Sequence, residues 1–216
     1  MRISFKHKFI WISKPKTGSS SFRQLLDPFS DICSTNAFPF RHHATLNELH
    51  AVFQKECWNF TSFYKVVAAR NPWELLVSLY CYSKTDTNGI HKWQTFQGYQ
   101  SDRLMPFKDW IRKPANHEWF RTNHALDRYI LSDEQENMAD FIFASDKDVT
   151  PFFEGIQKHC QLKLDPNGLN RLNVTTKATD LLDAVKLEFN SQEIDDLIGD
   201  IFSTEITLFN YKNSYQ

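Results

Sequence analysis

The stretch Phe9-Ile-Trp-Ile-Ser-Lys-Pro-Lys-Thr-Gly-Ser-Ser-Ser-Phe-Arg-Gln-Leu-Leu26 constrains the fold more than any other part of the chain. Phe9 to Ile12 is a short apolar run of aromatic and β-branched residues, the pattern of a strand buried on both faces of a parallel sheet. Pro15 and Gly18 then turn the chain. From Ser19 to Leu26 the apolar residues Phe22, Leu25 and Leu26 fall at helical spacing behind small hydroxyl residues suited to a helix start.

A strand, a tight turn and a helix N-terminus make an anion site, because unpaired N–H groups of Gly18 to Ser21 point one way and the helix dipole adds positive potential. Lys14 and Lys16 bring ammonium groups to the same turn, and Thr17, Ser19, Ser20 and Ser21 bring hydroxyl donors. These residues suit a phosphate or sulfate group. Taken alone, they also describe a Ser-rich helix cap beside two solvated lysines. The G-x-x-x-x-G-K-[ST] pattern of a Mg-nucleotide loop is missing, which favours a metal-free anion site.

A second junction of the same kind follows. Ser62 to Ala69 reads as a buried strand, and Arg70-Asn71-Pro72 ends it, with Pro72 opening a helix striped by Leu75, Leu76, Leu79 and Tyr80. Both junctions lie at strand carboxyl ends, where open α/β sheets bind ligands. Arg70 and Ser78 fall on roughly one side of the chain here, so a guanidinium and a hydroxyl suit a second anion. The plainer alternative is an Arg capping a strand end and a Ser facing solvent.

Further strands are expected at Phe38 to His43, Ala139 to Ala144 and Leu162 to Leu164. Further helices are expected at Ala44 to Cys57 (capped by Thr45), Phe107 to Arg112, His117 to Ile130 and Val149 to Cys160 (capped by Asp148). Two more, Ala178 to Phe189 and Ser191 to Phe202, close the chain. Residues 84–105 carry weak periodicity and read as an insertion loop covering the site, with Trp93, Phe96 and Tyr99 suited either to stacking on sugar rings or to packing the loop down.

At 216 residues the chain reads as one domain with a substantial core. A net charge of −1 argues against nonspecific nucleic-acid binding. Nineteen Phe and six Trp exceed what the core of a domain this size needs, so some are expected to line a groove and most to belong to the core. Cys33, Cys57, Cys81 and Cys160 are scattered without a C-x-x-C pair, which points away from a metal site or disulfide scaffold and towards reduced thiols in a cytoplasm. No run approaches the roughly 20 apolar residues of a membrane span, and no signal peptide is expected ahead of the first strand.

Together, Pro-Lys-Thr-Gly-Ser-Ser-Ser (15–21) and Ala-Arg-Asn-Pro-Trp-Glu-Leu-Leu-Val-Ser-Leu-Tyr (69–80) resemble the sulfotransferases that use 3′-phosphoadenylyl sulfate (PAPS), nearest to the carbohydrate branch with the heparan-sulfate 2-O-sulfotransferases and their bacterial relatives. Similarity runs from about Phe9 to Tyr80 and again from Arg171 to Tyr211. The resemblance implies a three-layer, P-loop-like α/β fold, a central parallel sheet flanked by helices. It implies that Lys14, Lys16, Thr17, Gly18, Ser19, Ser20 and Ser21 hold the 5′-phosphosulfate, and that Arg70 and Ser78 hold the 3′-phosphate. Arg41-His42-His43-Ala44-Thr45 is similar to the family's H-x-[ST] segment, with His43 as the base and His42 as its neighbour in contention. Leu172-Asn173-Val-Thr175-Thr176-Lys177 is similar to its late N-x-[ST] loop, so Asn173, Thr175 and Thr176 would close over the cofactor. Leu75 stands where family members often carry Arg, and Glu205 where Asp is usual.

The activity implied is transfer of a sulfuryl group from PAPS to an acceptor hydroxyl, on a carbohydrate, without a metal, a nucleic-acid partner or a membrane. Lys16 would stabilise charge on the leaving group and His43 would take the acceptor's proton. Two alternatives stay open: a P-loop kinase using ATP and Mg²⁺, and a sulfotransferase-like protein that only binds glycans or partners.

Overall fold

The computed structural model describes residues 1–84, 105–169, 185, 187–189 and 191–215. In chain order the elements are β1 (Arg2–Ser4), β2 (Phe9–Ser13), α1 (Ser19–Leu26), β3 (Ile32–Cys33), α2 (Leu46–Lys55), β4 (Tyr64–Ala69), α3 (Pro72–Lys84), α4 (Phe107–Arg112), α5 (Pro114–Asn123), α6 (Asp127–Ile130), β5 (Phe141–Ala144), α7 (Thr150–Cys160), α8 (Gln192–Ile201) and α9 (Ser203–Phe209). They divide between two compact units, Met1–Arg70 with Leu126–Leu172, and Asn71–Ala125 with Asn173–Gln216.

The first unit is an α/β unit built on a five-stranded sheet of order β3-β1-β2-β4-β5. Its centre is parallel: β2 pairs with β4 (Trp11 opposite Val66) and β4 with β5 (Ala68 opposite Phe143). All five β2 residues are buried, as an apolar strand at a sheet centre must be. The expected central parallel sheet is the core of a mixed one, because β1 runs antiparallel to β2 (Arg2 opposite Trp11) and β3 antiparallel to β1. At three and two residues β1 and β3 are too short to show a period.

Side chains alternate across the sheet. One face carries Phe9, Trp11, Val66, Ala68 and Phe143, covered by Phe22 and Leu26 of α1 and by Phe152, Phe153 and Ile156 of α7. Phe22 lies 5.1 Å from Phe143 and 5.2 Å from Phe152, ring centre to ring centre. The other face carries Lys65, whose ammonium lies 5.5 Å from the Phe60 ring, and Phe60 packs edge-on against Phe53 of α2. Lys65 is nearly buried and is held by the Phe63 carbonyl and by the Asp140 carboxylate at 2.6 Å.

Three more expectations change. Phe38 to His43 forms no strand beyond an isolated bridge from Thr35 to Arg41, and Phe38 is 71% exposed, so no burial holds it extended. Leu162 and Leu164 are buried and alternate with exposed Gln161, Lys163 and Asp165, but this alternation belongs to a chain laid over the core without a ladder partner among the described residues. The helix expected over His117 to Ile130 is two, α5 and α6, parted at His124 and Ala125.

The elements described in the second unit are helices. Tyr80 of α3 stands edge-on to Phe107 at 5.3 Å, Phe107 lies 4.7 Å from Phe189, and Phe120 packs on Trp110 at 5.0 Å. Here the surplus aromatics serve the core. Leu75 is fully buried, and Trp73 donates from Nε1 to Asp195 at 2.7 Å. The helix α9 continues the chain past the expected Phe202 stop. No cysteine is in a disulfide. Among the described residues no helix is long and apolar enough to cross a membrane. The expected insertion, apart from Lys84 and Met105, and most of the helix expected at 178–189 lie outside the described residues.

Candidate functional site

Because β2, β4 and β5 are parallel, their carboxyl ends share one sheet edge. The turn at residues 14–18 leaves β2 there, Arg70 leaves β4, and Ser145 leaves β5. Arg70 donates from Nη1 to the Lys16 carbonyl at 2.9 Å, so the two junctions singled out in the sequence are in contact. Ser145 closes the next gap, donating to the Ala69 carbonyl from both its backbone N–H and its hydroxyl at 2.9 Å.

The turn has an unusual backbone. Lys16 and Gly18 are both left-handed, at φ 65° and 69°, on either side of buried Thr17. A non-glycine residue there costs roughly 1–2 kcal/mol, and such strain gathers at functional sites. Thr17 Oγ1 donates to the Lys14 carbonyl at 2.8 Å, which holds the turn closed. Its hydroxyl proton being spent, Thr17 can meet an anion only through its backbone N–H.

Gly18 is the N-cap of α1, and no side chain caps the helix. Ser21 N–H bonds back to the Gly18 carbonyl at 3.2 Å. The hydroxyl residues expected to cap α1 therefore do not, and the positive end of this eight-residue helix carries no side-chain cap. The two lysines differ: Lys14 is fully buried, while Lys16 is partly exposed. Ser19 and Ser20 are partly exposed as well, and Ser21 is buried.

The histidine pair lies in the same unit. His43 donates from Nδ1–H to the Ser13 carbonyl at 2.8 Å, the last residue of β2 before the turn. That bond fixes the tautomer and leaves the lone pair on Nε2, which has no hydrogen bond among the described residues. Burial, opposed by the bond to Ser13, lowers its pKa from 6.5 to about 4, so the ring is neutral at physiological pH. His42 is engaged differently. Its Nδ1 accepts from Arg23 Nη1 at 2.8 Å and from the Ser34 hydroxyl at 2.7 Å, so its lone pair is spent and its proton sits on Nε2. Burial and then the Arg23 charge lower its pKa. Of the two imidazoles, His43 is the one able to accept a proton.

Ser78 lies on α3 in the second unit, partly exposed. Asn173, Thr175 and Thr176 lie outside the described residues. Two participants escape sequence reasoning. The Ser13 carbonyl is invisible to any motif. Arg23 carries a faint signal, its spacing of three and four from Ser20 and Ser19 on one helix face.

Compared with protein-family models, curated proteins and solved structures, the chain matches none.

Proposed function

We propose that this is a sulfotransferase of P-loop-like fold, moving a sulfuryl group from PAPS to an acceptor hydroxyl on a carbohydrate. The observation that carries it is the Arg70–Lys16 hydrogen bond, since the resemblance needs both motifs to grip one nucleotide. The uncapped start of α1, the left-handed Lys16 and Gly18, and the proton-accepting tautomer of His43 support it further.

When bound, PAPS supplies an activated sulfuryl group. The residues present fit such an anion, with backbone N–H groups of Gly18 to Ser20 to hold the 5′-phosphate and the Lys16 ammonium to neutralise charge growing on the leaving oxygen. Arg70 adds charge for the 3′-phosphate, while the part given to Ser78, Asn173, Thr175 and Thr176 rests on the resemblance. His43 Nε2 accepts the proton of the acceptor hydroxyl, a role worth about 10² to 10⁴-fold. An anion held at the adjoining turn raises the His43 pKa from its depressed value and so strengthens the base.

The test is incubation with labelled PAPS and a panel of glycans and small alcohols, read by mass spectrometry. Transfer to at least one hydroxyl is expected, and Lys16→Ala should lower turnover by about 10²-fold or more with little change in thermal unfolding. A chain that neither transfers the group nor binds adenosine 3′,5′-bisphosphate (PAP) is not this enzyme.

A further inference from the structure

The Arg23 side chain touches both halves of the candidate site. From the middle of α1 its Nε donates to the Ser19 carbonyl at 3.3 Å and its Nη2 to the Ser20 hydroxyl at 3.2 Å, both in the first turn of the helix. Its Nη1 donates to His42 Nδ1 at 2.8 Å. One planar group with a rigid fork of donors thus joins the anion turn to the segment carrying His43. We propose that Arg23 is a positioning residue, holding the His42–His43 segment at a fixed distance from the α1 N-terminus so that base and anion site keep their spacing. This rests on the sulfotransferase reading.

Other groups also reach the segment around His42. The Met1 ammonium group donates to the His42 carbonyl at 2.9 Å, and its pKa is lowered to about 4 by burial and then by Arg2. Arg2 reaches Ser34 Oγ at 2.9 Å and the Met1 carbonyl at 2.8 Å, while its Nε pairs with Asp27. With the terminal amine neutral at physiological pH, the guanidinium groups of Arg2 and Arg23 meet beside this segment, and Asp27 pairs with Arg2. The acceptor on the histidine ring makes the second guanidinium, Arg23, a link.

Histidine 42 is thus needed for its acceptor at Nδ1 and not for its basicity. Asparagine places an amide oxygen near the same position, so His42→Asn keeps the Arg23 bond and His42→Ala loses it. Expected values of kcat are within about threefold of the parent for His42→Asn and at least about tenfold lower for both His42→Ala and Arg23→Ala, since small misplacements of a catalytic group are expensive. PAP affinity should change by less than about threefold in all, and the double variant Arg23→Ala/His42→Ala should be no worse than either single one. Independently of turnover, NMR titration should show the His42 pKa rising towards its ordinary value in Arg23→Ala.

Asparagine failing as badly as alanine, Arg23→Ala keeping the parent kcat, or a His42 titration unmoved by Arg23→Ala would each overturn the proposal. If the parent neither transfers sulfuryl groups nor binds PAP, the enzymatic reading fails instead, and the titration still reads the Arg23–His42 link. Should Arg23→Ala not fold, the alanine–asparagine comparison at position 42 decides alone.

Discussion

The protonation of His43 is a matter of a few ångströms. Its Nδ1–H is held by the Ser13 carbonyl, and burial keeps the ring uncharged down to about pH 4. Between pH 6.5 and about 4 the unfolded chain takes up a proton at this residue that the folded chain refuses. The His43 contribution to stability is therefore complete above pH 6.5 and lost as pH falls through that window, with a slope of at most about 1.4 kcal/mol per pH unit. His43→Ala should flatten that part of the curve in chemical denaturation at stepped pH. Under the proposed sulfuryl transfer, the acid limb of kcat/KM should disappear with the same substitution while PAP binding stays. A parent curve already flat between pH 6.5 and 4 would mean that the ring is not held neutral.

Gly18 makes a second residue-scale case. Its φ of 69° suits glycine, yet a Cβ added there meets nothing within 4 Å. Steric contact is thus removed as a variable, and Gly18→Ala should destabilise by roughly 1–2 kcal/mol from backbone strain alone. Gly18→Asn should cost less, because Asn tolerates the left-handed region. Urea unfolding of the pair checks this, and equal losses would point to some other cause.

At the scale of elements, two helices with similar-looking starts behave in opposite ways. The Thr45-Leu-Asn-Glu48 start of α2 forms a complete capping box, Thr45 accepting from Glu48 N–H and Glu48 accepting from Thr45 N–H. Thr45→Ala should therefore cost about 1 kcal/mol. The richer run of hydroxyls at α1 caps nothing, so Ser19→Ala should change stability by less than about 0.5 kcal/mol. Thermal unfolding of the two variants side by side tests the contrast. A comparable loss at Ser19 would show that its hydroxyl serves the helix and not a ligand.

The same contrast marks what was legible beforehand. The three parallel strands and the helices α1, α2, α3 and α7 announce themselves by apolar runs or by spacing, since burial against a sheet imposes a period. The short strands β1 and β3 are held by ladder partners that only the fold supplies. Leu162 and Leu164 mislead in the other direction, because a coil over a core buries alternate residues just as a strand does. Within the site, Lys16, Gly18, Arg70 and His43 stand out by motif. The fate of the hydroxyls is unreadable, as Thr17 closes its own turn and Ser20 meets Arg23.

For the molecule as a whole, a net charge of −1 means that no general positive field gathers anionic ligands. Affinity for a nucleotide must come from local geometry, and local geometry is selective. PAP at about 100 times its dissociation constant should stabilise the protein by about 2.7 kcal/mol and raise the unfolding midpoint, while ATP with Mg²⁺ at the same concentration should do much less. Arg70→Ala is the informative variant, because Arg70 also braces the turn through the Lys16 carbonyl. Its midpoint without nucleotide should fall modestly, by about 1 kcal/mol for the hydrogen bond lost. The further rise on adding PAP should shrink or vanish. If Arg70→Ala lowers the unliganded midpoint yet keeps the full rise with PAP, the guanidinium serves the fold alone and the 3′-phosphate is held elsewhere. If ATP with Mg²⁺ stabilises the parent as strongly as PAP, the site recognises nucleotides without the 3′-phosphate, and the kinase alternative takes the place of sulfuryl transfer.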